Sequence, residues 1–192
     1  LRLHYSNPLK MSALRRSVQR VRGRFALPPE LHGAECVFGH VSLARYRYAI
    51  ASGYAVGGMF FREPLDLLVS FYFYHRGKQP AALQEADATQ GLLALARRPE
   101  MQAFYSLFLG GLRPGDLAFV GLFERLDEST ARLEVIMGRS LEVGRGNVTR
   151  ARPKDAASYL ADLGIRDRVM ALQRSNIAIY QRAVACFDAV LE

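Results

Sequence analysis

Arg62 directly follows the apolar run Val56-Gly57-Gly58-Met59-Phe60-Phe61, and Ser70 comes eight residues later inside a helical pattern opened by Pro64. An arginine at the C-terminal end of a strand stands where open α/β sheets bind their ligands, and its planar fork of donors suits phosphate or sulfate. A serine hydroxyl nearby adds a second donor. The start of the intervening helix adds partial positive charge and unpaired N–H groups. Pro64 removes one of those groups at little cost, because it would have no helical partner anyway. The chemistry these residue types suit is the holding of an anion. A plainer reading stands beside it, in which the arginine pairs with a carboxylate and the helix serine is inert.

His40 ends the short run Glu35-Cys36-Val37-Phe38-Gly39-His40. Its neutral imidazole can take a proton near pH 7, as a general base must, whereas a lone histidine is otherwise a structural hydrogen-bonding group. Arg145, Asn147, Arg150, Arg152 and Lys154 lie in one Gly-containing loop. That loop is either a lid over an anionic ligand or a solvated basic segment. His75 is a second candidate near an acceptor, or a charge set against a helix end. Glu124 and Arg125 read as a fixed pair that organises a turn. The aromatic set Phe71 to Tyr74 could stack on a base or sugar, with packing under the sheet expected of most of it.

The elements that position these residues follow from periodicity. Asn7-Pro8 signals a helix start, with Met11, Leu14, Val18 and Val21 at helical spacing beyond it. Arg15, Arg16 and Arg20 lie off that stripe, a solvated basic face or a surface for an acidic acceptor. Residues 35–38 form a buried strand, 54–61 contain a second, and a helix follows from Pro64. Ala81 to Arg98 and Pro99 to Leu109 read as two more helices. Leu117 to Leu122 is a third strand, followed by a helix from about Asp127 to Met137 that Gly138 stops. A long helix runs from Ile165 to Leu191 with Val169, Leu172, Tyr180, Val184, Phe187 and Leu191 on one stripe. Strands interleaved with helices define an α/β fold class: a small, mainly parallel sheet flanked by helices.

A length of 192 residues fits a single domain, 1–192. The net charge of +8, carried almost wholly by arginine, favours anionic partners. No apolar run approaches the roughly 20 residues needed to cross a bilayer, and the start has no signal-peptide pattern. Cys36 and Cys186 are too few and too far apart for a disulfide framework or a zinc site, and are expected as small buried groups. No metal is expected.

The wording around Arg62 resembles the 3′-phosphate-binding motif of the carbohydrate sulfotransferases: Arg-x-Pro, then Ser eight residues after the Arg in an aromatic-rich helix. In that family the matching Arg and Ser hold the 3′-phosphate of 3′-phosphoadenosine-5′-phosphosulfate (PAPS). Gly39-His40-Val41-Ser42-Leu43 is similar to the family's Gly-His segment, which implies that His40 is the catalytic base. Phe119 to Ser129 is similar to "VGLTERFDES". Asn147 to Lys154 resembles the "NVNPSRPK" loop, implying donor contacts by Arg145, Asn147 and Arg150, and Asn176 to Tyr180 resembles the "LDxxLY" helix. The likeness spans roughly residues 35 to 187 in the right order. Ser70-Phe71-Tyr72-Phe73-Tyr74-His75-Arg76 points to the uronosyl and heparan sulfate 2-O group.

The resemblance implies a P-loop-kinase-like sulfotransferase fold. It also implies a nucleotide donor and a hydroxylated acceptor, a carbohydrate or another small polar molecule that can itself be anionic. Nucleic acid is not expected as a partner. The family opens with a strand and a "PKTGGTS" loop whose Lys and N–H groups grip the 5′-phosphosulfate, and no such segment stands in this chain. Leu1-Arg2-Leu3-His4 reads as the beginning of the helix that follows that loop, so either the loop lies upstream of Leu1 or the chain is a degenerate or trimmed copy that cannot turn over. Leu67 stands where the family often has Arg. The competing reading is a non-catalytic nucleotide- or polyanion-binding module of the same fold. Composition without paired cysteines favours a bacterial cytoplasm, and an upstream membrane anchor would instead place the chain in the Golgi lumen.

Overall fold

The computed structural model describes residues 2–3, 9, 11–23, 25–34, 36–76, 88–141 and 160–189. It is mixed helix and sheet, mostly helical, with a small parallel sheet. The strands are β1 (Arg2–Leu3), β2 (Val37–Phe38), β3 (Gly58–Phe61) and β4 (Phe119–Leu122). The helices are α1 (Ala13–Arg22), α2 (Arg47–Ala51), α3 (Pro64–Arg76), α4 (Ala88–Ala96), α5 (Pro99–Gln102), α6 (Phe104–Leu109), α7 (Leu126–Met137) and α8 (Leu163–Ala189). β1 pairs with β2 in parallel, Arg2 opposite Val37 and Leu3 opposite Phe38, and β3 pairs with β4 in a second two-stranded sheet. Among the described residues no helix is long and apolar enough to cross a membrane.

Two compact units make up the chain. The first comprises Leu1–Met59 with Ala103–Val120, the second Phe60–Gln102 with Gly121–Glu192.

In the first unit, Ser12 caps α1, its Oγ accepting from Arg15 N at 3.3 Å. The helix therefore starts at Ser12, whereas Asn7 and Pro8 lie outside the described residues. It ends at Gly23, whose carbonyl accepts from Tyr48 N at 2.7 Å. A Cβ on Gly23 would stand 2.0 Å from the Ala44 carbonyl oxygen, so only glycine permits this approach. The core gathers Ala44, Tyr46, Ala49, Tyr105, Phe108 and Leu109. Ser42, also buried, donates its hydroxyl to Leu107 O at 2.7 Å.

Beside that core Glu30 receives a fork from Arg45, Nε to Oε1 and Nη2 to Oε2 at 2.9 Å, and the Tyr46 hydroxyl donates to Oε1 at 2.9 Å. Burial pushes the Glu30 carboxyl up, but the hydrogen bonds from Arg45, the backbone and Tyr46 outweigh it and hold it down at about 2.

The second unit is built on α8, against which α3, α4 and α5 pack. Leu68, Val69 and Phe73 of α3, Leu92 and Leu93 of α4 and Met101 of α5 are buried. On α8 the buried stripe is Val169, Gln173, Asn176, Ala183 and Phe187. Two of its members are polar. Asn176 offsets part of the cost by donating to Met101 O and to Gln173 Oε1, both at 2.7 Å, while Gln173 Nε2 is buried with no hydrogen-bond partner among the described residues.

Several expectations are corrected. Arg2–Leu3 is strand rather than the start of a helix, because its ladder partner is Val37–Phe38, far along the chain and invisible to a local pattern. The run at 35–38 is not a buried strand: among its described residues, 36–38, only Val37 and Phe38 pair, and Phe38 is 57% exposed. The stretch Pro99 to Leu109 is two short helices, broken at Ala103 where the chain leaves one unit for the other. Both free cysteines are half-buried rather than core groups. By contrast β3, α3, β4 and α7 fall where the pattern placed them, and Gly138 ends α7 in the left-handed region at φ 63°.

Candidate functional site

β3 ends at Phe61, which is 1% exposed and fixes the point where the chain emerges as Arg62. Glu63 then caps α3: its carbonyl accepts from Leu67 N at 2.8 Å and its carboxylate from Asp66 N at 2.7 Å. Pro64 supplies the first helical residue. Asp66 and Ser70, one turn apart, line up on the face of α3 nearest Arg62.

Arg62 reaches along that face and meets both. Its Nη1 donates to Ser70 Oγ at 3.0 Å, and its Nε donates to Asp66 Oδ2 at 2.5 Å, with Nη2 also in ion-pair contact with the same oxygen. The guanidinium carbon lies 4.6 Å from the centre of the Phe123 ring, a cation–π contact. So the two residues singled out for anion binding stand together, and the plainer partner, a carboxylate, is there as well.

That carboxylate changes the electrostatics of the helix start. The Asp66 N–H is already taken by the capping Glu63, and Asp66 adds a second carboxylate in the first turn of α3. The expectation of unpaired donors here is corrected to this extent: the protein supplies its own anions to its own dipole.

The segment after β4 closes the site from a second side. Ser129 of α7 is fully buried, and its Oγ accepts from Leu122 N at 2.8 Å and donates to Leu122 O at 3.0 Å, pinning α7 to the strand end. The intervening 3-10 turn, Phe123–Arg125, presents the Phe123 ring and the Glu124 carboxylate. Glu124 Oε1 accepts from Glu63 N at 2.7 Å, and Oε2 accepts from the Tyr180 hydroxyl of α8 at 3.0 Å. Burial raises the Tyr180 phenol well above its ordinary range, and the Glu124 carboxylate raises it further.

Glu124 and Arg125, expected as a pair, have separate partners. Arg125 bonds Glu128 Oε2 at 2.8 Å and Asp188 Oδ1 at 2.6 Å, and lies over the Phe187 ring. Arg132 covers the same ring and donates to Phe187 O at 2.5 Å. These arginines clamp the end of α8 to α7.

Three segments distant in sequence, 62–70, 123–129 and 176–180, thus meet around one arginine and one glutamate. Sequence reasoning missed Asp66, Phe123 and the linking role of Glu124. The signal for Asp66 was present, since a carboxylate four residues after an arginine can reach it on a helical face.

His40 belongs to the first unit. It follows Gly39 at φ 146°, is exposed, and faces the Phe108 ring edge-on with centroids 6.5 Å apart. His75 packs against the rings of Phe71 and Tyr74, at 4.3 and 5.1 Å between centroids. Phe73 is buried, Phe71 and Tyr72 are half-buried and Tyr74 is exposed. Arg145, Asn147 and Arg150, with Arg152 and Lys154, lie outside the described residues. Comparison with protein-family models, curated proteins and solved structures finds no match for this chain.

Proposed function

We propose that this chain is a sulfotransferase domain, moving a sulfuryl group from PAPS to a hydroxyl of a carbohydrate or another small polar acceptor. The observation that carries the reading is the contact between Arg62 and Ser70, eight residues apart in sequence and 3.0 Å apart in space. It is the pair that the resemblance assigns to the 3′-phosphate. Support comes from the company it keeps: two further family-like segments, 119–129 and 176–180, meet next to Arg62 through Glu124.

Each residue then has a chemical task. Arg62 offers charge and directed N–H donors to the 3′-phosphate, and Ser70 offers its hydroxyl proton while its oxygen accepts from Arg62. Arg145, Asn147 and Arg150 add donor contacts from their loop. In the transfer the acceptor oxygen attacks sulfur and the bond from sulfur to the bridging oxygen breaks. 3′-phosphoadenosine 5′-phosphate leaves with that electron pair, and a base takes the acceptor's proton, the role that the resemblance gives to His40. Composition without paired cysteines favours a bacterial cytoplasm for this chemistry, with the Golgi lumen as the alternative should a membrane anchor precede the chain.

Titration calorimetry with 3′-phosphoadenosine 5′-phosphate and with adenosine 5′-monophosphate tests the reading. The first should bind more tightly. Arg62→Ala should weaken it by roughly tenfold to a hundredfold, the size of a lost charge-assisted contact of about 1.5–3 kcal/mol, and Ser70→Ala by less. Equal affinity for the two nucleotides would overturn it.

A further inference from the structure

Helix α1 packs with its apolar stripe outward. Leu14, Val18 and Val21 share an arc of about 60° at 100° per residue, yet they are 76%, 42% and 58% exposed. The face turned to the body of the first unit carries Arg16 and Gln19, both half-buried, and Gly23, which abuts Ala44. Phe25, just past the helix, is 75% exposed and extends the stripe. An amphipathic helix normally buries its apolar side, so the exposed row is a surface that something else covers.

Charge says what. Arg15 and Arg22 flank the stripe on one side and Arg20 lies on the other, all three exposed, and α1 holds no acidic residue. Among the described residues none of the three forms an ion pair. A hydrated glycan or nucleic acid would satisfy the arginines and leave the apolar row in water. A second copy docking through the same face would set these arginines against their own counterparts. An anionic bilayer offers both halves of the complement, acyl chains for the row and phosphates for its edges.

We propose that α1 docks the protein on anionic lipid surfaces, with Leu14, Val18, Val21 and Phe25 entering the acyl boundary and Arg15, Arg20 and Arg22 at the headgroups. This surface is independent of the nucleotide reading.

Co-sedimentation of the full chain with vesicles of phosphatidylcholine containing phosphatidylglycerol, and with phosphatidylcholine alone, tests it. Binding should occur on the anionic vesicles and fall to background on the neutral ones. Leu14→Ser with Val18→Ser keeps every charge and removes only exposed apolar groups, so the melting temperature should hold while binding drops at least tenfold. Arg15→Gln with Arg22→Gln should cost roughly fivefold per charge. Arg166→Gln with Arg174→Gln, equal in charge but placed on α8, should change binding less than twofold. An equal loss from the α8 pair, or no loss from the serine pair, would mean that overall charge alone drives adsorption and would overturn the proposal. So would a dimer in solution that the serine pair converts to monomer.

Discussion

Tyr180 donates its phenolic proton to Glu124 Oε2 across 3.0 Å, while Glu124 Oε1 holds the Glu63 N–H at 2.7 Å. One carboxylate therefore ties α8 to the residue that caps α3 and adjoins Arg62. The phenol is held in its protonated form by burial first and by the Glu124 charge second. Its pKa is higher folded than unfolded, so the stabilisation is complete below the unfolded value of about 10 and disappears as pH rises through the folded one.

Tyr180→Phe should lower stability at neutral pH by about 0.5–1.5 kcal/mol, the net worth of an ordinary hydrogen bond. It should also flatten the loss of stability on going to about pH 11. Tyr46, raised likewise by burial and then by Glu30, supplies the slope that remains. Thermal melts of both proteins across that range measure the difference. An unchanged alkaline slope would show that the phenol titrates alike in both states.

Glu30 works in the opposite direction of pH. Its carboxyl, held at about 2 against an ordinary 4.5, adds stability that is full above about pH 4.5 and lost as pH falls through 2. Glu30→Gln should cost on the order of 2–3 kcal/mol at pH 7, and the two proteins should converge near pH 2. Urea midpoints at pH 7, 4 and 2.5 measure this. A constant difference at all three would assign the loss to packing rather than to charge.

What the sequence disclosed and what it hid divide along physical lines. Pro64 and Gly138 mark α3 and α7 because a missing N–H and a left-handed cap are properties of single residues. Arg62 and Ser70 were legible for a similar reason, since the strand end and the helical face between them fix where each can reach. β1 was not legible, because two residues become a strand only when a remote segment supplies the ladder. The buried stripe of α8 was half-hidden: counting apolar residues found Val169 and Phe187 but passed over Gln173 and Asn176, which are buried with a hydrogen bond between them. Nothing local could show that Glu124 serves Glu63 and Tyr180 rather than its neighbour Arg125. The outward stripe of α1 inverts a rule that pattern reading relies on, and the buried Gly23 beside Ala44 is where the inversion is built.

Ser129 offers a test of how the second segment is held. Its hydroxyl is the partner of both the N–H and the carbonyl of Leu122, in a place closed to water. Ser129→Ala should cost about 1–3 kcal/mol, because the Leu122 N–H is left buried and unbonded. Ser129→Thr keeps the hydroxyl but adds a methyl to a full site, so it should also destabilise, by overpacking. Chemical unfolding of the pair checks this, and an alanine variant as stable as the parent would show that the strand end finds another partner.

Asp66 decides how Arg62 meets an anion. Its carboxylate stands on the guanidinium from one side and Phe123 from another, so under the proposed function a 3′-phosphate would share the arginine with a charge of its own sign. If the two compete, Asp66→Asn, which keeps the shape and removes the charge, should tighten 3′-phosphoadenosine 5′-phosphate by roughly fivefold, about 1 kcal/mol. Adenosine 5′-monophosphate should gain nothing. Stability should fall by no more than about 1 kcal/mol, as expected for a half-exposed ion pair. If Asp66 instead aims the arginine at the phosphate, the same substitution weakens binding of 3′-phosphoadenosine 5′-phosphate and Asp66→Glu fails to restore it. Calorimetry with the two nucleotides, beside a melt of each variant, separates these outcomes. A variant that binds both nucleotides as the parent does would remove Asp66 from the site altogether.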